Sequence, residues 1–103
     1  MKSYTLSLTE LSQKDIYASQ DFYEEQSQNL GIYFYDSIIC DLDALKFYAG
    51  IHQKYFGFYR MLTKRFPYAI YYDIEDGMVI VHAVLHTRMA ISSMQARLKS
   101  LYT

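Results

Sequence analysis

The side chains with chemistry to offer are concentrated between residues 60 and 88 of the 103-residue chain. Arg60, Lys64, Arg65 and Arg88 bring fixed positive charge, His82 and His86 bring groups that titrate near neutrality, and Tyr71 brings a hydroxyl. A guanidinium fork suits phosphate or carboxylate, which it holds through two parallel hydrogen bonds. Histidine beside such cations suits metal-independent RNA cleavage. There a base takes the 2′-hydroxyl proton, an acid protonates the leaving oxygen, and cations stabilise the phosphorane. On that reading His86 is base or acid, Arg88, Arg65 and Arg60 neutralise the phosphate, and Lys64 assists. The plainer reading is a docking surface in which Arg60, Lys64, Arg65, Tyr71, His86 and Arg88 bind a target without bond chemistry. His82 reads as a cross-strand packing residue. No Cys/His spacing resembles a zinc site, the lone Cys40 excludes an internal disulfide, and no cofactor is expected.

One hairpin must position these groups. Asp76-Gly77 is a two-residue type I′ turn signal flanked by alternating residues. That turn predicts the pairs Glu75 with Met78, Ile74 with Val79, Tyr72 with Val81, Ile70 with Ala83 and Tyr68 with Leu85, with Ile74 to Leu85 making an apolar face. The period of two puts Asp73 with Ile80, Tyr71 with His82, Ala69 with Val84, Pro67 with His86 and Arg65 with Arg88 on the other face. Two arginines opposed across a pair repel unless an anion lies between them, which makes this face the expected binding surface.

Upstream, residues 3 to 9 alternate as a half-buried strand. Ser12 with Asp15 reads as a capping box opening a helix, with Leu11 and Ile16 as its staple, and the helix runs to about Gln26. After the break at 27–31, Phe34, Ile38, Leu42 and Leu45 line one face of a second helix that Gly50 stops. Ile51 to Gly57 reads as a loop and Phe58 to Lys64 as a strand. The spacing of Ile91, Met94, Leu98 and Leu101 suits a short helix over residues 89–101. The expected fold is therefore α+β, ordered β-α-α-β-β-β, with an antiparallel-rich sheet, a helical hairpin on one face, and the face carrying Tyr71, His82, His86, Arg65 and Arg88 left open.

The length fits a single domain, 1–103. No apolar run approaches a membrane span and no signal peptide is readable, so a cytoplasmic protein is expected. The net charge of −1 is unevenly placed. Residues 1–50 carry three cations against eight carboxylates, and residues from 51 onward carry seven against three. That balance argues against a generic nucleic-acid binder and for a two-sided molecule with many amphipathic contacts among its 12 tyrosines. Glu24, Glu25, Asp36, Asp41 and Asp43 read as solvated helix surface.

Arg65-Phe66-Pro67-Tyr68-Ala69-Ile70-Tyr71-Tyr72 followed, past the turn, by Val79-Ile80-Val81-His82-Ala83-Val84-Leu85-His86-Thr87-Arg88 resembles the RelE/ParE superfamily of toxins from type II toxin–antitoxin modules. Asp15-Ile16, Phe22-Tyr23-Glu24, Leu30-Gly31 and Phe34 resemble its two helices, so the likeness spans about residues 3 to 88. It implies a toxin neutralised by a cognate antitoxin. The Val84-Leu85-His86-Thr87-Arg88 ending resembles the ParE-like branch, whose members bind DNA gyrase and block replication, more than the RelE-like branch, whose members cleave mRNA on the ribosome. Many relatives follow the arginine with a second one. Here Met89-Ala90-Ile91 follows Arg88, which leaves a third reading of a degenerate toxin that keeps only antitoxin binding.

Overall fold

The computed structural model describes residues 3–99. The elements run β1 (Thr5–Leu8), α1 (Glu10–Gln26), α2 (Leu30–Tyr48), β2 (Lys54–Tyr55), β3 (Phe58–Leu62), β4 (Tyr68–Glu75), β5 (Met78–His86) and α3 (Ile91–Lys99). The five strands form one sheet in the order β1-β5-β4-β3-β2, with β1 parallel to β5 and the other neighbours antiparallel. The expected α+β class and strand order hold. The two-residue β2 is an addition to them, because a two-residue strand has no period to read. It turns into β3 through Phe56 and Gly57, both with positive φ.

Both faces of the sheet are covered. Phe34, Ile38, Leu42 and Leu45 of α2 and Ile16 of α1 pack on Ile70, Tyr72, Val79, Val81 and Val84. On the far side, Met94 and Leu98 of α3 pack on Phe58, Ala69, Tyr71, Ala83 and Leu85. The face expected to be open is thus a second small core, and Tyr71 is only 1 % exposed. The C-terminal helix lies where the spacing of Ile91, Met94 and Leu98 suggested, while Leu101 falls outside the described residues. None of the helices described is long and apolar enough to cross a membrane.

The hairpin register changes partway. Asp76 and Gly77 turn with positive φ as the turn signal required, and Glu75–Met78, Ile74–Val79, Asp73–Ile80 and Tyr72–Val81 pair as expected. Tyr71 then faces Ala83, which makes His82 an extra residue on β5. Beyond this bulge the pairs are Ile70–Val84, Ala69–Leu85 and Tyr68–His86 in place of those expected at these positions. The shift also takes Arg65 and Arg88 out of opposition, beyond the end of the ladder. A bulge swaps the faces of every later residue on its strand. Val84 accordingly joins the helical-hairpin core, and Ala83 and Leu85 join the α3 core.

The helices start and join differently from the expected scheme. Thr9, not Ser12, caps α1, its Oγ1 accepting from the Ser12 amide at 3.2 Å. Glu24 is no free surface group, since its two carboxylate oxygens accept from the amides of Asn29 and Gly31 at 3.0 Å and tie off the start of α2. Gly31 is where the helices come closest, because a Cβ there would lie 2.7 Å from the Gln20 carbonyl oxygen.

After α2 the chain is pinned by the Tyr72 hydroxyl, which accepts from the Gly50 amide at 2.9 Å and shares a hydrogen bond with His52 Nδ1 at 2.5 Å. Burial lowers the His52 pKa from its ordinary value, so the unfolded chain takes up the proton first as pH falls. The stability His52 contributes is then full above about pH 6.5 and is lost as pH drops through the folded-state pKa. Urea unfolding at about pH 7.5 and about pH 5.5 should therefore show a larger loss of stability in the wild type than in His52→Gln. Equal losses would rule out this role for His52.

Candidate functional site

The rim is built first by aromatic packing. Phe66 lies among Phe34, Tyr23 and Tyr33, with ring centroids 5.0, 4.9 and 5.5 Å away. Tyr68 packs against Phe34 at 5.0 Å. Burial, and then the neighbouring Tyr68 hydroxyl, push the Tyr23 pKa up to about 12, so this cluster stays neutral. The turn between β3 and β4 closes on itself through Thr63, whose amide donates to the Tyr68 carbonyl at 2.9 Å and whose hydroxyl donates to that of Phe66 at 2.5 Å. Asp41, expected on the solvated surface, is 3 % exposed and accepts from the Lys64 amide at 3.2 Å. Phe66 and Asp41 thereby hold the turn against α2 while the side chains of Lys64 and Arg65 remain exposed.

β3 and β5 end, and β4 begins, at this same end of the sheet. Lys64, Arg65, His86 and Arg88 consequently gather on one rim. Among the described residues, none of Arg60, Lys64, Arg65 and Arg88 forms an ion pair, whereas Lys14 and Lys46 in the acidic half bond Glu10 and Asp43 on their own helices. The asymmetry seen in the sequence therefore survives as unneutralised cations at one end of the fold.

The predicted site residues do not all converge. His86 stacks edge-on to Tyr68 at 5.2 Å, and its Nδ1 accepts from the Arg88 amide at 3.0 Å. A neutral ring held this way carries its proton on Nε2, which can donate but cannot take a hydroxyl proton. Arg60 and Tyr71 lie on the α3 side of the sheet, where Arg60 Nε donates to the Tyr71 hydroxyl at 3.1 Å and that hydroxyl donates to Met94 Sδ at 3.6 Å. Tyr71 is thus buried and orients Arg60, so it does not itself meet a target. His82 packs on Phe58 at 5.1 Å with Nε2 3.4 Å from Asp73 Oδ2, which makes it a structural residue, though not opposite Tyr71.

Asp15 and Arg97 are the polar pair that the sequence did not disclose. Arg97 on α3 donates from both terminal nitrogens to the Asp15 carboxylate, at 2.7 and 2.8 Å, and reaches the His82 carbonyl at 3.3 Å. Asp15 also accepts from the Val84 amide at 3.0 Å. Together they satisfy backbone groups that the bulge turns away from β4, past the point where β1 ends. The two residues stand 82 positions apart, and the spacing of Asp15 from Ser12 points to a helix cap that Thr9 in fact provides, so local spacing holds no sign of the pair.

Asp15→Ala should destabilise the fold by about 3 kcal/mol, because it removes the carboxylate that both the partly buried Arg97 guanidinium and the Val84 amide bond. Denaturant unfolding measures this. A loss below about 1 kcal/mol, the range of a surface pair, would show that the clamp is not needed.

A family model described as ParE toxin of type II toxin–antitoxin system, parDE, matches residues 6–91. Comparison with curated protein sequences found no match. Among solved structures, a chain of the chromosomal ParDE TA system from P. aeruginosa superposes with a TM-score of 0.76 at 14% sequence identity, covering 85% of this chain and 100% of that one. At that identity the superposition speaks for the fold alone.

Proposed function

The chain belongs to the ParE toxin family of type II toxin–antitoxin systems, and from that premise we propose that it inhibits bacterial growth by binding DNA gyrase in the cytoplasm and is neutralised by a cognate antitoxin. The observation that carries the docking reading is the rim. Lys64, Arg65 and Arg88 are exposed there, with no carboxylate partner among the described residues, next to a His86 whose Nδ1 already accepts a backbone hydrogen bond. Unneutralised cations cost little in water and gain when an anionic surface arrives, steering encounter and fixing orientation. Ribonuclease chemistry would instead ask for a base with a free lone pair and arginines converging on one phosphate. Arg60, on the α3 side of the sheet, is set apart from the rim residues.

Inducing the protein without antitoxin and pulse-labelling within minutes separates the targets. Thymidine incorporation is expected to fall before methionine incorporation. Earlier loss of methionine incorporation would replace gyrase with mRNA cleavage, and no loss with soluble protein accumulating would identify a toxin that retains only antitoxin binding. Arg88→Ala removes an exposed side chain and should weaken growth arrest roughly tenfold or more while leaving the unfolding midpoint within the range of ordinary surface changes. Undiminished arrest by the folded variant would remove Arg88 from the site.

A further inference from the structure

Behind the rim the sheet leaves a hollow. β1 ends opposite Val81, and past that point α1 comes against β5, where the Asp15 carboxylate takes the Val84 amide. A cavity of about 190 Å³ opens beside this contact, walled by Ala18 of α1, Val84 and Leu85 of β5, and Met89. Pockets for whole small molecules run to roughly 300–1,000 Å³, so this one is sized for a single side chain. Most of the polar groups around it are already engaged. Asp15 holds Arg97 and the Val84 amide, the Tyr68 hydroxyl is hydrogen-bonded with Tyr23, and His86 Nδ1 accepts from the Arg88 amide. Ser19 and the His86 Nε2 hydrogen remain, so an apolar occupant strands few polar groups.

Met89 gives the hollow its character. Its amide donates to the His86 carbonyl at 3.0 Å, and its half-buried side chain packs against the α3 core while forming one wall of the cavity. Many sequences of the kind this chain resembles carry a second arginine at that place. Here a cation of the rim is exchanged for a flexible thioether, which adapts its shape to what it covers. The neighbours narrow the occupant further. The Thr87 amide donates to the Pro67 carbonyl at 2.7 Å, which brings Arg88 alongside the turn that carries Lys64 and Arg65. An apolar recess edged by exposed cations fits a protein surface with an apolar anchor among carboxylates. A nucleic-acid backbone would meet the cations and leave the recess empty.

We propose that the hollow between α1 and the end of β5 takes one large apolar side chain of the target protein, leucine or methionine in size, whose flanking carboxylates meet Arg88 and Arg65. The inference rests on the docking reading of the rim and does not require that the target be gyrase. Ala18 and Met89 set the size and polarity of the recess and so determine which anchor enters, while the arginines select the charge beside it.

The test uses the full chain with ¹³C-labelled methionine, leucine and valine methyl groups, titrated with capped Glu-Leu-Glu and its twins Glu-Ser-Glu and Lys-Leu-Lys. The leucine peptide is expected to shift the Met89 and Leu85 methyl resonances and to bind at least about fivefold more tightly than the serine twin, as burial of an apolar side chain does. The lysine twin should leave both resonances in place. Ala18→Leu, which fills the recess from an exposed helix position, and Met89→Arg should each bring the leucine peptide down to the level of the serine twin, in protein whose methyl spectrum is otherwise native. Equal binding of the leucine and serine peptides, or a preference that survives both substitutions, would overturn the proposal. So would Met89 shifts that follow the concentration of the protein alone, which would make a second copy the occupant. Purified gyrase subunits separate this inference from the reading beneath it. If they fail to bind the wild type while the peptide results hold, gyrase is refuted and the recess stands, whereas gyrase binding undiminished by Ala18→Leu would overturn the recess.

Discussion

The rest of the structure depends on a backbone misfit in β5. An extra residue at His82 breaks the alternation of the strand and leaves main-chain groups turned outward where β1 has ended. Those groups are partly buried, and side chains satisfy them. Asp15 and Arg97 do so jointly, and in doing so fasten the first helix and the last to the same point of the sheet. The bulge in turn lets β5 feed two cores, with Val81 and Val84 beneath the helical hairpin and Ala83 and Leu85 beneath α3. Without it Leu85 would turn toward the hairpin, and α3 would lose part of the surface it covers.

This arrangement explains which parts of the fold were legible. The face of α2 was readable because Phe34, Ile38, Leu42 and Leu45 keep one period throughout, and β4 was readable because Tyr68, Ile70, Tyr72 and Ile74 do the same. β5 was not, because Val79, Val81, Ala83 and Leu85 offer one apolar phase and Ile80 and Val84 another. A constant period then looked sufficient when a mixed one was in use. The open sheet face was inferred from that constant period and failed with it.

The candidate site was legible as a set of residue types and less so as a geometry. Arg65, Lys64, His86 and Arg88 do share a rim, held by the aromatic packing of Phe66 and the carboxylate of Asp41. Tyr71 and Arg60 do come together, but the hydroxyl orients the guanidinium from inside the second core and is not on the rim. Asp41 reads as surface charge because an acidic helix residue resembles solvated polarity whether or not a distant amide points at it, and the exposed Glu24 holds two amides as well. Such pairings depend on tertiary neighbours that periodicity cannot name.

The clamp between Asp15 and Arg97 also bears on the order in which the molecule can be completed. Joining groups 82 residues apart carries a large loop-closure cost, and α3 leaves the ribosome after every strand it packs on. A nascent chain can assemble β1 and the helical hairpin early, as N-terminal parts generally do during synthesis. The hairpin strands can then join them, but the bulge stays unclamped and the second apolar face uncovered until Arg97 emerges. That order delays the finished domain until α3 has been made and leaves an apolar sheet face exposed in the interval before it.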